Sequence, residues 1–405
     1  MTFVPFRSSL SAPFRSAVAK GLSDFDEHEW DALVSDNNFY NSYRWLRALE
    51  HSFGATDVLA VRGPAGVVAA CTLWEGDQSP GLFFLPDCMA GIPGPWRQSF
   101  LWLGGRRNTH NEIPCIQGRR RYEALGEFGR SALKYAQERE YTGVVMPYMP
   151  YPAAVEFAEH IGGTVVLHSA EAYLEVPDTG VAGMMARSCA HDRNQSKSEV
   201  AAFRRAGGKI GWASAEELDD SIVADLITQN RSRHGSTKGR DWMERILAGQ
   251  RKAGVSQFGA AAVSEFNNEI TGLAVFYRFG TALHLRYFGA DYRRDLKDYR
   301  YFVLCYYEPL DYAAARGLTT LRLSTSSLRA KVNRGAKIEP QAIVIKFVGE
   351  PHIRDSDVKG HNLRMIRQYQ DQFAGHLCGD WELVERYQVA GRVTARLSKR
   401  RRDLG

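Results

Sequence analysis

Most of the groups in this chain that could do chemistry lie between residues 280 and 335. His284, Arg286 and Phe288 alternate along the apolar run Leu283–Ala290, and strand periodicity places them on one face. An imidazole beside a guanidinium can move a proton and hold an anion. Asp291 follows at the strand end and supplies a carboxylate able to take a proton from an amine. An aromatic stripe comes next: Tyr299, Phe302, Tyr306 and Tyr307. Tyr307 offers a phenol, and Tyr299 a ring for a substrate. Ser324 closes the next strand, and Lys331 and Arg334 lie on or just after a short helix, as candidate anion binders. His234 and Lys238 sit in the polar loop RSRHGSTKGR (Arg231–Arg240), within possible reach of the same site. Several of these residues also have a purely structural reading, in which the stripe packs a core and His284 is a hydrogen-bonded interior histidine.

Other chemistries lack their residues. There is no GxSxG elbow, Walker A loop or dinucleotide fingerprint. The six cysteines are far apart and form no zinc-spaced cluster, which predicts no metal centre and buried or partly buried free thiols. No cofactor is expected.

The elements that must position these residues come in a repeated order. VLAVRGPAGVVAACTLW from Val58 and GAAAVSEFNNEITGLAVFY from Gly259 both read as strand, polar turn, strand. YAQEREYTGVVMPY from Tyr135 matches YAAARGLTTLRLST from Tyr312, and FAEHIGGTVVLHSAEAYLEV from Phe157 matches KVNRGAKIEPQAIVIKF from Lys331. A unit of about 180 to 200 residues is too long for a solenoid repeat and suits a domain. The predicted organisation is an α/β (α+β) duplication with units at 1–178 and 179–350 and a C-terminal extension at 351–405. Further expectations are a pair of opening helices over Ser23–Glu50, the first capped by Ser23 or Asp24, and an irregular segment Cys88–Gly118. A long helix is expected over Arg293–Arg316, and a final β-hairpin before the basic tail.

With 405 residues, 44% hydrophobic and 24% charged, the chain has ordinary globular composition. No apolar run reaches the roughly 18 residues of a membrane span, and the N-terminus has no signal-type apolar core, so a cytoplasmic protein without a membrane span is expected. The net charge of +6 is concentrated in clusters such as Arg204-Arg205 and the tail around Arg400 and Arg401. It permits a phosphate-rich partner.

In this order the elements resemble the GCN5-related N-acetyltransferase fold, and more closely the Fem-like aminoacyl transferases, which carry two such domains in tandem. The resemblance is spread over NNFYNSYRWLRALEHSFG (from Asn37), VAAFRRAGGKI (from Val200), NEITGLAVFYRFGTALHLRYFGAD (from Asn268), YYEPLDYAAARGLTTLRL (from Tyr306) and KVNRG (from Lys331). It implies two mixed, mainly antiparallel sheets flanked by helices. It also implies an acyl donor seated where two parallel strands splay apart, here Leu283–Ala290 and Thr319–Ser324. Acetyltransferases of this fold usually hold coenzyme A with a glycine-rich turn after the first of these strands. Here that turn reads DYRRDLKD (Asp291–Asp298), with three carboxylates and no glycine. Fem-like enzymes take the acyl group from aminoacyl-tRNA, and the resemblance implies that donor and an amine acceptor of peptidoglycan or small natural-product type. DNA is not an expected partner. Arg193, Lys197, Arg204, Arg205, Arg400 and Arg401 are then the candidate tRNA contacts. Lys331, Arg334, Arg286, Phe288, Tyr299, Ser324, His234 and Lys238 would hold the acceptor. Asp291, His284 and Tyr307 are the candidates for proton transfer. An acyl-coenzyme A transferase is the alternative.

Overall fold

A computed structural model describes residues 13–294 and 298–390. Arg400 and Arg401, and the turn residues Asp295 and Lys297, lie outside them. The first half runs β1 (Arg15–Lys20), α1 (Glu27–Asp31), α2 (Tyr43–Phe53), β2 (Asp57–Gly63), β3 (Gly66–Trp74), α3 (Leu85–Cys88), β4 (Leu101–Leu103), α4 (Arg121–Glu138), β5 (Gly143–Pro150), α5 (Tyr151–Ile161) and β6 (Thr164–Glu175). The second half follows the same plan. Helices α6 (Gly180–Arg187) and α7 (Ala190–Arg205) precede β7 (Lys209–Ser214), and α8 (Asp220–Arg233) and α9 (Arg240–Lys252) lead to β8 (Gly259–Phe266), β9 (Glu269–Phe279) and β10 (Ala282–Ala290). Then come α10 (Arg300–Phe302), a π-helical turn Val303–Tyr307, α11 (Glu308–Ala314), β11 (Thr320–Arg322), α12 (Leu328–Val332) and β12 (Lys337–Phe347). Two helices, α13 (Asp355–Phe373) and α14 (Asp380–Ala390), complete it.

The strands form one continuous sheet in the order β1-β2-β3-β4-β5-β12-β6-β11-β10-β9-β8-β7. Each half therefore donates its last strand to the other: β12 lies beside β5, and β6 beside β11. The two exchanged strands pair antiparallel at the centre, so the sheet runs unbroken past residue 178. All pairs are antiparallel except β4–β5 and β10–β11, one parallel pair in each half. The repeated blocks map onto equivalent elements: β2–β3 with β8–β9, α4–β5 with α11–β11, and α5–β6 with α12–β12.

The halves also share a core. Trp30, Trp45 and Leu46 from the first pack in one cluster with Leu226, Met243 and Tyr277 from the second. Helices α2 and α9 meet so closely that a Cβ on Gly249 would lie 2.7 Å from the Ala48 carbonyl oxygen. No helix among the described residues is long and apolar enough to cross a membrane.

Several sequence expectations need correction. Asp26 caps α1, its side chain accepting from the Glu29 N–H at 2.9 Å. The irregular segment hides β4. The long aromatic helix begins only at Arg300, because Tyr299 is left-handed (φ 57°) and Arg300 is tied back to the Asp298 carboxylate. Its π turn ends just before Pro309, which has no N–H to donate into the preceding turn. The expected final hairpin is α14 through residue 390, with Trp381 and Val384 buried at helical spacing. Among the thiols, Cys189 is exposed.

Candidate functional site

Strands β10 and β11 pair only at Ala282↔Thr320, Leu283↔Leu321 and His284↔Arg322. Beyond His284, β10 keeps its pairing with β9 as far as Ala290, while β11 ends. The edge of β10 facing the gap thus has no strand partner among the described residues, and free backbone N–H groups on such an edge suit an oxyanion. Ser324, just past β11, has φ 65°, and Ser327 has φ 54°. Lys331 braces this bend. Its ammonium donates to the Leu323 carbonyl and, at 2.9 Å, to the Ser324 carbonyl. Burial lowers its pKa to about 7, against the opposing pull of Glu171.

A cavity of about 760 Å³ opens beside this bend. Its walls include Gln195 on α7, Tyr299 and Phe302, Arg334, and Gln368 and Tyr369 on α13. Arg334 is buried, donates to Glu199 Oε1 at 2.5 Å and stacks on the Phe302 ring, 3.3 Å from its centroid. The Tyr307 hydroxyl donates to the other Glu199 oxygen. Burial, then this bond, pushes the phenol up to about 12. Tyr307 and Arg334 thus meet at one carboxylate, and Tyr299 and Arg334 share one cavity.

On the opposite face of the sheet, His284 is 1% exposed, and neither ring nitrogen has a hydrogen-bond partner among the described residues. It packs against Phe39 and Tyr40. Burial, then the nearby Arg322, lowers its pKa to about 3. Arg286 lies over Tyr40 and Trp45. Phe288 does not share this face. A bulge between Leu285 and Tyr287 reverses the alternation, and Phe288 packs on Tyr301 in the other core. Asp291 is engaged by Arg293 Nε at 2.7 Å and Arg294 Nε at 3.3 Å. Burial raises its pKa, but these cations outweigh it and hold the carboxyl below its usual range, which makes Asp291 a poor base. His234 and Lys238 are exposed on the α8–α9 loop, with no bond to the other candidates among the described residues. On α7, Lys197, Arg204 and Arg205 face solvent, while Arg193 caps the Met185 and Ser188 carbonyls.

Sequence reasoning missed a polar cluster at the centre of the sheet. Glu171 on β6 accepts from Arg322 at 2.8 Å and lies 2.7 Å from His110 Nδ1. Arg322 also donates to Glu339 on β12 at 2.7 Å. His110, Glu171 and Glu339 offer ligand atoms within 4.8 Å of one another, but the Arg322 guanidinium already sits between the carboxylates, and a metal ion would have to displace it. Thr109 links the cluster to the splay through the Ser324 hydroxyl, 3.4 Å away. Glu171 and Glu339 lie in matched blocks of the repeat, but only the pairing of β6 with β12 brings them together.

No family model and no curated protein matches the sequence. Solved structures do match by shape. FemX aligns with a TM-score of 0.55 at 12% identity, over 83% of this chain and 98% of that one. The chain has the Fem-like fold, with two halves of the GCN5-related N-acetyltransferase type in tandem. A conserved protein of unknown function from Bacteroides thetaiotaomicron aligns with a TM-score of 0.52 at 10% identity, over 80% and 98% of the two chains. The C-terminal DUF2156 domain of a putative lysylphosphatidylglycerol synthetase from Agrobacterium fabrum aligns with a TM-score of 0.51 at 8% identity, over 85% and 95%. In this Fem-like fold the β10–β11 gap is the splay that the sequence resemblance implied.

Proposed function

We propose that the protein is an acyltransferase that forms an amide bond, moving an aminoacyl group from aminoacyl-tRNA to the amine of a peptidoglycan-type or small natural-product acceptor. The observation that carries the donor assignment is the turn after β10. A pyrophosphate there needs free backbone N–H groups and local positive charge. Asp291 instead puts a buried carboxylate at the strand end and consumes the Arg293 and Arg294 charges in ion pairs. An aminoacyl ester asks nothing of that turn. The cavity beside the splay suits the end of the donor, and α7 supports this reading. It lends Gln195 and Glu199 to the cavity wall while Lys197, Arg204 and Arg205 face solvent, available to phosphates.

The chemistry asks little of the protein. The donor ester is already activated, so attack by a neutral amine suffices. The unpaired edge of β10 would hold the developing oxyanion, and the proton that the amine releases, shared with Lys331 of pKa near 7, would pass to the ribose oxygen as its ester bond to the acyl carbon breaks. On the opposite face of the sheet, where the acceptor would enter, His284 and Arg286 both lie against Tyr40. The alternative, an acyl-coenzyme A donor, is favoured by one feature: the cavity is large enough for a cofactor-sized ligand. Incubation with a mixed pool of radiolabelled aminoacyl-tRNA and candidate amines tests the reading. It predicts label in an RNase-resistant amide, whose formation is abolished by RNase added beforehand. Product formed from acyl-coenzyme A and not from the charged tRNA would refute it.

A further inference from the structure

Each half of the sheet has one parallel pair, and each pair opens into a gap. In the first half β4 meets β5 only at Leu101↔Val144 and Trp102↔Val145, and the chain itself fills the gap. The Asn111 backbone N–H donates to the Tyr148 carbonyl at 2.9 Å, and its side chain donates to the Pro147 carbonyl at 3.0 Å. Tyr148, with φ 58°, makes a left-handed bend there, as Ser324 does just past β11. The rest of the filling segment is pinned as firmly. Asn108 Oδ1 accepts from Trp45 Nε1 at 2.9 Å, its Nδ2 donates to the Tyr40 carbonyl at 2.6 Å, and the Thr109 carbonyl accepts from Gln341 Nε2 at 2.8 Å. Asn108, Thr109, His110 and Asn111 are all buried.

The segment that closes the first gap delivers two side chains to the lip of the second. The Thr109 hydroxyl lies 3.4 Å from that of Ser324, and His110 follows it in the chain. Burial opposes ionisation of Glu171, but Arg322 outweighs it and keeps the group a carboxylate. Glu171 Oε2 can therefore only accept from His110 Nδ1, 2.7 Å away. In a neutral imidazole that fixes the proton on Nδ1 and leaves a lone pair on Nε2. Nε2 has no hydrogen-bond partner among the described residues. The other charged or titratable groups facing the ring are Glu339, 3.7 Å from Nδ1, Arg322, which bridges both carboxylates, and His284 on β10, which burial and Arg322 keep neutral. Two carboxylates and one guanidinium leave the cluster one negative charge, so a proton arriving on His110 balances it. On β6, Ala172 and Leu174 point into the core below the cavity, so Glu171 between them points to the opposite face. That is the face of Tyr40 and Arg286.

We propose that His110 accepts a proton from the ammonium of the acceptor, with Glu171 as its positioning residue. This rests on the proposed function. A primary amine is protonated at neutral pH and cannot attack in that form. His110 Nε2 takes one proton from the nitrogen and releases it to solvent. The nitrogen lone pair then forms the bond to the acyl carbon, the bond from that carbon to the ribose oxygen breaks, and the second proton passes to the ribose oxygen. The base then works from one face of the sheet and the donor from the other.

Two measurements on the full chain test this. Nitrogen-15 NMR of histidine-labelled protein, assigned with His110→Gln, should show the His110 proton on Nδ1. Transfer from radiolabelled aminoacyl-tRNA to a panel of amino acids, diamines and amino sugars should rise with pH, with the midpoint that His110 shows by NMR. Glu171→Gln should move both midpoints to lower pH, because a negative neighbour is lost. His110→Gln should lower transfer at pH 7 by roughly a hundredfold or more. That deficit should shrink in alkali, where the amine loses its proton unaided. Transfer like the wild type, a deficit of equal size at every pH, or a wild-type proton on Nε2 would overturn the proposal. Should His110→Gln fail to fold by circular dichroism, the wild type decides: matching midpoints support the proposal and unrelated ones overturn it. A wild type that transfers to no amine, with its proton on Nδ1, would reject the transfer reaction and this role together, whereas transfer that ignores His110 would reject this role alone.

Discussion

Glu171 and Glu339 are direct cross-strand partners at the centre of the sheet, on the two strands that the halves exchange. Like charges placed directly opposite repel, and here Arg322 bridges both. Burial raises the Glu171 pKa, but Arg322 and then His110 outweigh it and hold it near 2. Because the folded value lies below the ordinary 4.5, the group stabilises the protein above that pH and loses its contribution as pH falls toward 2. Glu171→Gln leaves Arg322 under-compensated and should cost roughly 3 to 5 kcal/mol at pH 7. Urea unfolding at pH 7 and pH 3 checks it, with the difference between wild type and variant shrinking at the lower pH.

His284 gives an opposite kind of test. It is buried neutral, with a folded pKa near 3 against 6.5 unfolded. The unfolded chain therefore binds the extra proton, and stability falls as pH drops below 6.5, by up to about 1.4 kcal/mol per pH unit. His284→Leu removes two unpaired ring nitrogens and should flatten that slope between pH 6.5 and 4.5. Thermal midpoints across this range are the readout, and an unchanged slope would mean that the imidazole has a partner.

The seam between α2 and α9 should not tolerate one extra carbon. Gly249→Ala would gain helix propensity of about 1 kcal/mol, yet its Cβ meets the Ala48 carbonyl and, at 2.2 Å, the Ser52 hydroxyl. A net loss of about 1 to 3 kcal/mol is expected from chemical denaturation. A stabilised variant would show that the halves can separate at this contact.

Lys197, Arg204 and Arg205 together should carry salt-sensitive RNA binding. Replacing all three with Gln should lower the slope of log affinity against log salt by about 2. Filter retention across a salt series measures it, and an unchanged slope would remove α7 from the interface.

Much of the fold was legible because each half announces itself locally. The hairpins alternate apolar residues around polar turns, and the order repeats. The strand exchange was not legible. β6 and β12 have the same pattern, and nothing local tells either which half to join. Glu171 and Glu339 each read as an ordinary polar residue on an alternating strand, and only tertiary pairing makes them one site. β4 is three residues long and sits inside a Gly- and Pro-rich segment, so periodicity had nothing to act on. The shared face of His284 and Arg286 was legible, but Phe288 was not, because one bulge reverses everything after it. Arg106 and Arg107 carried no reading in the sequence, because the aromatic residues they lie over come from four separate segments.

The donor is the central claim, and paired binding on the purified chain tests it most directly: coenzyme A and acetyl-coenzyme A by calorimetry, and charged tRNA by filter retention over a salt series. The account predicts salt-sensitive retention of charged tRNA and no heat from either coenzyme. Micromolar coenzyme A binding, with only weak and nonspecific RNA retention, would contradict it.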